Sequence, residues 1–251
     1  MLNGRQIREL QQLGVMPTGL VEYSTATLSD GMQRLGIHNR VLEPGIRPLL
    51  PFTRMVGTAV TVKLEASEDP SSYSRFVGNA FEMGKNVAAP ILVLEYPQNM
   101  IGATVIGSGG AHVMKNQYGF VGCVANGIVR DSDDLRRMNF QVYCRSLHPE
   151  YIFGLLRGVS VNQPVTVGGV HVSPGDIVVG DNDGVLAIPP GELVNVIRAS
   201  QEILRQEREI LEEIDQGKPY LEVLKRLQPE AFHGEAGDKK CEEPPIPAKR
   251  R

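Results

Sequence analysis

Arg130 and Asp131 stand side by side, downstream of a glycine-rich segment, Gly107-Ser108-Gly109-Gly110. A guanidinium is a fixed planar fork of donors that matches a carboxylate. A carboxylate is the hard oxygen ligand that Mg²⁺ or Mn²⁺ accepts. Glycines let backbone amides come close to an oxyanion. Gly107, Ser108, Gly109, Gly110 and Ala111 together with Arg130 are therefore candidates for binding a small acid, and Asp131 is the candidate metal ligand. Asp134 follows within one helical turn and can orient metal-bound water. The chemistry open to this set is Lewis-acid activation of a small acid held beside a divalent ion. The same residues also match a helix N-cap with an acid at its third position. Both readings stand on the sequence.

Other reactive side chains form no comparable set. His38, His112, His148, His171 and His233 are scattered, and only His112 falls beside the glycine segment, inside the helix that follows it. Cys123, Cys144 and Cys241 have no metal-knuckle spacing and fit a reducing cytoplasm, with the first two in apolar strands. Asp181-Asn182-Asp183-Gly184 reads first as a hairpin turn. Gly107-Ser108-Gly109-Gly110-Ala111-His112 is not a dinucleotide loop, because His112 occupies the third glycine position and no acid-ended strand follows.

A net charge of −3 over 251 residues lacks the basic surface that nucleic-acid binding needs. The polar start excludes a secretory signal, and no apolar run reaches the roughly 18 residues of a membrane span. The expectation is a cytoplasmic protein whose ligand is a small molecule, with 41% hydrophobic residues to build a core.

The elements that must position the candidate residues alternate between helix and strand. Helices are expected near residues 3–13 and from Ser24 to Gly36, then a strand at Val56–Leu64, a helix at Ser71–Gly84 and a strand at Pro90–Tyr96. Ala103–Ile106 leads as a strand into a glycine turn, Ala111–Gln117 as a helix, Phe120–Ala125 as a strand and Leu135–Met138 as a short helix before Gln141–Cys144. Closely spaced β runs fill Val159–Pro189, and Pro190–Ile214 is a long amphipathic helix with a face that needs a partner. Residues 229–251 read as a disordered tail behind a single domain, 1–228.

Four segments make the chain resemble the RraA-like family: Ser24–Gly31, Gly57–Thr61, Gly109–Asp131 and Pro174–Val185. The likeness spans roughly residues 20–215. It implies an α/β domain with β/β/α layers, of the swivelling-domain type, assembled as a trimer or hexamer with the site between subunits. It also implies one of two activities, a Mg²⁺- or Mn²⁺-dependent lyase or a regulator that binds an RNase or another protein; a related lyase or hydro-lyase on another carboxylate is a third possibility. As a lyase it would be a 4-hydroxy-2-oxo acid aldolase, an oxaloacetate decarboxylase or both. The lyase reading assigns Asp131 to the metal, Arg130 and the glycine amides to the substrate, Asp134 to the waters, and Glu207 as an acid supplied by an adjacent subunit. At Gly109, twenty intervening residues before Arg130, the chain departs from the aldolases, which carry an acid there. With Asp134 it matches the branch linked to RNase regulation or weak 2-oxo-acid chemistry.

Overall fold

The computed structural model describes residues 2–13, 20, 22–67, 73–97, 104–150 and 156–227. They fall into two compact units, Met1–Gln201 and Glu202–Arg251. In chain order the elements are α1 (Gly4–Gln12), α2 (Thr25–Arg34), β1 (Arg47–Pro48), β2 (Met55–Ala66), α3 (Tyr73–Gly84), β3 (Pro90–Glu95), β4 (Thr104–Ile106), α4 (Ser108–Tyr118), β5 (Gly122–Ala125), β6 (Ile128–Val129), α5 (Ser132–Arg137), β7 (Gln141–Cys144) and β8 (Ser146–Leu147). There follow β9 (Leu156–Val161), β10 (Val165–Val167), β11 (Val170–Val172), β12 (Ile177–Gly180), β13 (Val185–Ile188), α6 (Leu193–Asp215) and α7 (Tyr220–Leu227).

The main sheet runs β1-β7-β5-β3-β2-β12-β13, and β9 also pairs with β2. Its centre is parallel: β2 with β3, β3 with β5, and β5 with β7. β2 is long enough to use its free side twice. Met55–Thr58 pair with β12, and Val62–Ala66 pair with β9, both antiparallel. Side chains alternate across this sheet, as strand geometry requires. Val60, Val62, Leu92, Leu94, Cys123 and Val142 enter one core with Ala80 and Phe81 of α3, Met114 of α4 and Leu135 of α5. Ala59, Ile91, Val93, Val124 and Tyr143 enter a second core with the β10–β11 hairpin. Helices on one face and a hairpin on the other give the expected β/β/α layering. Both faces being buried explains why these strands are continuous apolar runs.

A third core joins α1, α2, β12, β13 and the first turns of α6 through Leu10, Leu28, Leu186 and Ile197. α1 is closed by a capping box, with Asn3 Oδ1 accepting from Gln6 N–H at 3.0 Å and Gln6 Oε1 accepting from Asn3 N–H at 2.9 Å. α2 begins at Ser24 as its sequence indicates, but a distant residue supports it too. Asp181, in the hairpin turn between β12 and β13, accepts from Thr25 N–H at 2.8 Å and from Thr25 Oγ1 at 2.7 Å. Burial works to raise the Asp181 pKa, but the bonds from Thr25, Asp183 and Gly184 outweigh it and hold the group below its ordinary value. Cys123 and Cys144 are core thiols; burial pushes Cys144 up to about 11 and Cys123 higher still.

In the second unit, Gly217 adopts φ 85° and donates to Ile214 O at 2.8 Å, while Lys218 N–H donates to Glu213 O at 3.1 Å, which closes α6 in a left-handed turn. Glu213 is paired with Lys218 and Arg226 across that turn. The predicted tail lies outside the described residues, as do Cys241, His233 and most of the Ser67–Tyr73 insertion.

Asp181→Ala leaves the Thr25 donors buried without an acceptor and is expected to cost about 1–3 kcal/mol. Asp181→Asn keeps one acceptor and costs less. Because the folded pKa is depressed, the contribution of Asp181 is complete above the ordinary carboxylate value and disappears as pH falls through the depressed one. Urea unfolding of the three proteins at neutral and acid pH tests this: the gap between wild type and Asp181→Ala should narrow at low pH.

Candidate active site

Three short parallel strands, β4, β6 and β8, deliver the candidate residues to one place. Thr104 aligns with Ile128, Ile106 with Val129, and Val129 with Leu147. Beyond their C-terminal ends the chain continues as Gly107, as Arg130-Asp131 and as His148. Arg130 N–H donates to Ile106 O at 3.0 Å, and His148 N–H donates to Val129 O at 3.1 Å, extending the same ladder.

The glycine segment is not a free turn. Gly107 is the N-cap of α4, and Ser108, Gly109 and Gly110 form its first turn, three residues earlier than the apolar pattern indicates. Ala111 N–H is already bonded to Gly107 O at 3.1 Å, so that amide is not available to a ligand. The amides of Gly109 and Gly110 have no acceptor inside the helix, as for any first turn. Space beside both is open, with no atom within 4 Å of where a Cβ would stand.

No side chain of the Gly107 cap satisfies α4; Asp131 does. Its Oδ2 accepts from Ser108 N–H at 2.9 Å and from Ser108 Oγ at 3.1 Å. The carboxylate thus sits at the positive end of a helix that begins 23 residues earlier. Asp131 also holds the N-cap position of α5, but with φ 56° and ψ 37° and without a side-chain cap bond. The local capping-box reading therefore fails for its carboxylate, because the left-handed backbone turns that group away from α5 and towards α4. Arg130 Nε lies 3.8 Å from Asp131 Oδ2, and both side chains are about a third exposed. Gly107 makes this approach possible: a Cβ there would stand 2.6 Å from Asp131 Oδ2 and 3.2 Å from Arg130 Nε.

Arg130, Asp131, Ser132, Leu147 and His148 line a pocket of about 230 Å³. His148 Nδ1 accepts from Glu150 N–H at 3.2 Å, which leaves the ring proton of the neutral imidazole on Nε2. His148 has no local sequence signal; it arrives through the pairing of β6 with β8. Asp134 is not in the pocket. It is exposed on α5 and paired with Arg137. His112 is exposed on α4, 3.2 Å from Asn116. Glu207 is exposed on α6, in the second unit.

Among the described residues no three His, Cys, Asp or Glu side chains gather as a metal cage. What the pocket offers is one carboxylate. Asp131 Oδ2 is taken by Ser108, whereas no hydrogen bond among the described residues engages Oδ1. Mg²⁺ keeps several waters and accepts as few as one carboxylate. The donor set fits a hydrated hard cation held by Asp131 Oδ1, not a dehydrated one.

Residues 25–187 match the model of the RraA-like family, Aldolase/RraA, and the chain belongs to that family. An uncharacterised protein of Methanocaldococcus jannaschii is 32% identical over 181 residues, covering 72% of this chain and 83% of the relative. A Burkholderia mallei protein provisionally named 4-hydroxy-4-methyl-2-oxoglutarate aldolase is 39% identical over 147 residues, covering 59% of this chain and 82% of the relative. The solved structure of Streptomyces coelicolor RraAS2, described as an unusual member of the RNase ES inhibitor RraA protein family, superposes with a TM-score of 0.67 at 22% identity, covering 83% of this chain and 97% of that one. At that identity the likeness is one of fold. The family thus spans proteins named as aldolases and as RNase inhibitors.

A left-handed aspartate costs about 1 kcal/mol of backbone strain that glycine does not incur. Asp131→Gly and Asp131→Ala both delete the carboxylate, so the Gly variant should be the more stable by about that amount. Equal stability of the two by urea unfolding would count against the observed backbone at Asp131.

Proposed function

We propose that the chain is a Mg²⁺- or Mn²⁺-dependent lyase that cleaves a C–C bond of a small 2-oxo acid at the Arg130–Asp131 pocket and releases pyruvate. The observation that carries this reading is the Asp131 carboxylate, anchored by Ser108 through one oxygen, left open at the other and flanked by Arg130. A helix cap has no need of the adjacent guanidinium or of the open first turn of α4.

In this reading Asp131 Oδ1 is the protein's ligand to the cation, which when bound supplies Lewis-acid polarisation of the C2 carbonyl. Ser108 fixes the carboxylate so that it need not reorganise during turnover. Arg130 grips the substrate carboxylate and stabilises negative charge as the enolate develops. The Gly109 and Gly110 amides, at the positive end of α4, take the remaining oxygens. His148 lines the same pocket and is a candidate to carry a proton to or from the departing fragment. Asp134 lies outside the pocket wall and acts through water. The pocket is small, and we infer that a neighbouring subunit completes it, with Glu207 as the acid that copy supplies.

The test is coupled detection of pyruvate from oxaloacetate and from 4-hydroxy-2-oxo acids, with Mn²⁺ and with EDTA. Wild type should release pyruvate only with the metal, and Asp131→Ala and Arg130→Lys should lower kcat by about 10²–10³-fold, the usual effect of removing a preorganised electrostatic group. Full activity in Asp131→Ala ends the lyase reading. A folded wild-type chain inert towards every such acid favours the alternative, a regulator that binds an RNase or another protein. Gly109→Asp tests the departure from the aldolases. Open space receives the side chain, and the carboxylate would add a second acid beside the cation, so metal-stimulated turnover should rise.

A further inference from the structure

A second pocket lies beside the last four residues of β2 and at the C-terminal ends of β3 and β5, with a volume of about 290 Å³ and no lining residue in common with the first. Ligands in open parallel sheets are held at this end of the strands. Asn126, immediately after β5, is 4% exposed. Its Oδ1 accepts from Arg145 Nε at 2.6 Å, and Arg145 is held in turn by Glu43. That bond fixes the amide's orientation, because an arginine can only donate. Asn126 Nδ2 therefore carries the other edge of the amide. It has no hydrogen-bond partner among the described residues, and Asn126 lines the pocket.

Asn126 is nearly buried, but its amide nitrogen is still reached by solvent and is open to an acceptor that enters the pocket. Its neighbours point to what that is. Lys63, opposite Glu95 at the end of the β2–β3 ladder, sits 3.2 Å from Glu95 Oε1 and keeps two further N–H donors. Of the two acids in the lining, Glu95 is engaged on both oxygens, Oε2 accepting from Thr166 N–H at 2.7 Å, and Glu65 is paired with Arg157 at 3.1 Å. Leu64 and Tyr96 supply an apolar wall. Asn126 Nδ2 and Lys63 Nζ are the groups left with donors to offer, which suits an acceptor-rich ligand. The volume, at the low end for ligand sites, limits that ligand to a few carbons.

We propose that this pocket is a separate binding site for a small carboxylate, held by Asn126 Nδ2 and Lys63 Nζ. The site is independent of the reaction at Asp131.

The test uses ¹⁵N-labelled full-length protein titrated with acetate, pyruvate, malate and citrate at millimolar concentrations, following the Asn126 side-chain NH₂ resonances. At least one probe should shift them saturably. Asn126→Asp retains the acceptor for Arg145 at nearly the same volume but replaces the donors with a repelling charge. Its affinity, followed on neighbouring backbone amides, should fall at least about tenfold. Lys63→Gln, at a partly exposed position that does not threaten the fold, should weaken binding severalfold, so the test survives if Asn126→Asp fails to fold. Asp131→Ala should leave the Asn126 shift unchanged. The proposal is overturned if no probe moves the resonances, if Lys63→Gln or a folded Asn126→Asp binds like wild type, or if Asp131→Ala abolishes the response.

Discussion

The pair of bonds from Ser108 to Asp131 Oδ2 holds the site together. It joins the start of α4 to the chain leaving β6, and it does so with a charged acceptor at a helix N-terminus, where such a bond is stronger than a neutral one. Three features follow from it. Gly107 must lack a side chain, since a Cβ would occupy the space of the carboxylate. Asp131 must turn left-handed, since a right-handed residue would direct its side chain along α5. Arg130 is then carried to the same edge by its backbone bond to Ile106.

That geometry rests on the sheet beneath it. The long β2 strand is held by β3 on one side and by β12 and then β9 on the other, so its register is specified three times over. A slip of one residue would exchange the two cores, bringing Ala59 to the helix layer and Val60 to the hairpin. Fully burying one Val or Leu is worth about 1.5–3 kcal/mol, so a shift of the whole strand is prohibitive. Precise registry in the sheet fixes where β3 and β5 end. Short β4, β6 and β8, which have few interactions of their own, are held by α4 and α5 packed into the same core.

Much of this was legible in the residues. Strands such as Pro90–Glu95 and Gln141–Cys144 are apolar on both faces and short, and the structure places them where the run of Val, Ile and Leu indicates. The pairing of Arg130-Asp131 with the glycine segment was legible because each residue type carries its chemistry openly. The start of α4 was not, since Gly109 and Gly110 look like a turn when only propensity is weighed, whereas a first helical turn anchored by an external carboxylate tolerates them. Asp134 reads as a partner of Asp131 on helical spacing, but Asp131 is not helical, so the spacing does not bring the two together. Asp181 reads as a turn residue and is one; its bonds to Thr25 span 156 positions and leave no local trace. His148 and Asn126 belong to the same class. Their neighbours are set by strand pairing, which a single sequence does not display.

Both polar pockets express one constraint. Parallel strands all end on the same side, and at that end the chain must leave the ladder, freeing donors and side chains that the sheet no longer uses. Here β4, β6 and β8 lead into Gly107, Arg130-Asp131 and His148, while β3 ends at Glu95, opposite Lys63 of β2, and β5 leads into Asn126. Only Gly127, Ile128 and Val129 separate Asn126 from Arg130 in the chain, and Arg145, which orients Asn126, donates its backbone N–H to Gly127 O at 2.9 Å. β6 is thus the single short strand between two donor-rich sites. A side chain that alters its backbone, such as one added at Gly127, where a Cβ would stand 2.7 Å from the Tyr96 ring, must disturb both. Independence of ligand binding at the two pockets therefore depends on β6 remaining rigid, and its bonds to β4 on one side and β8 on the other are what keep it so.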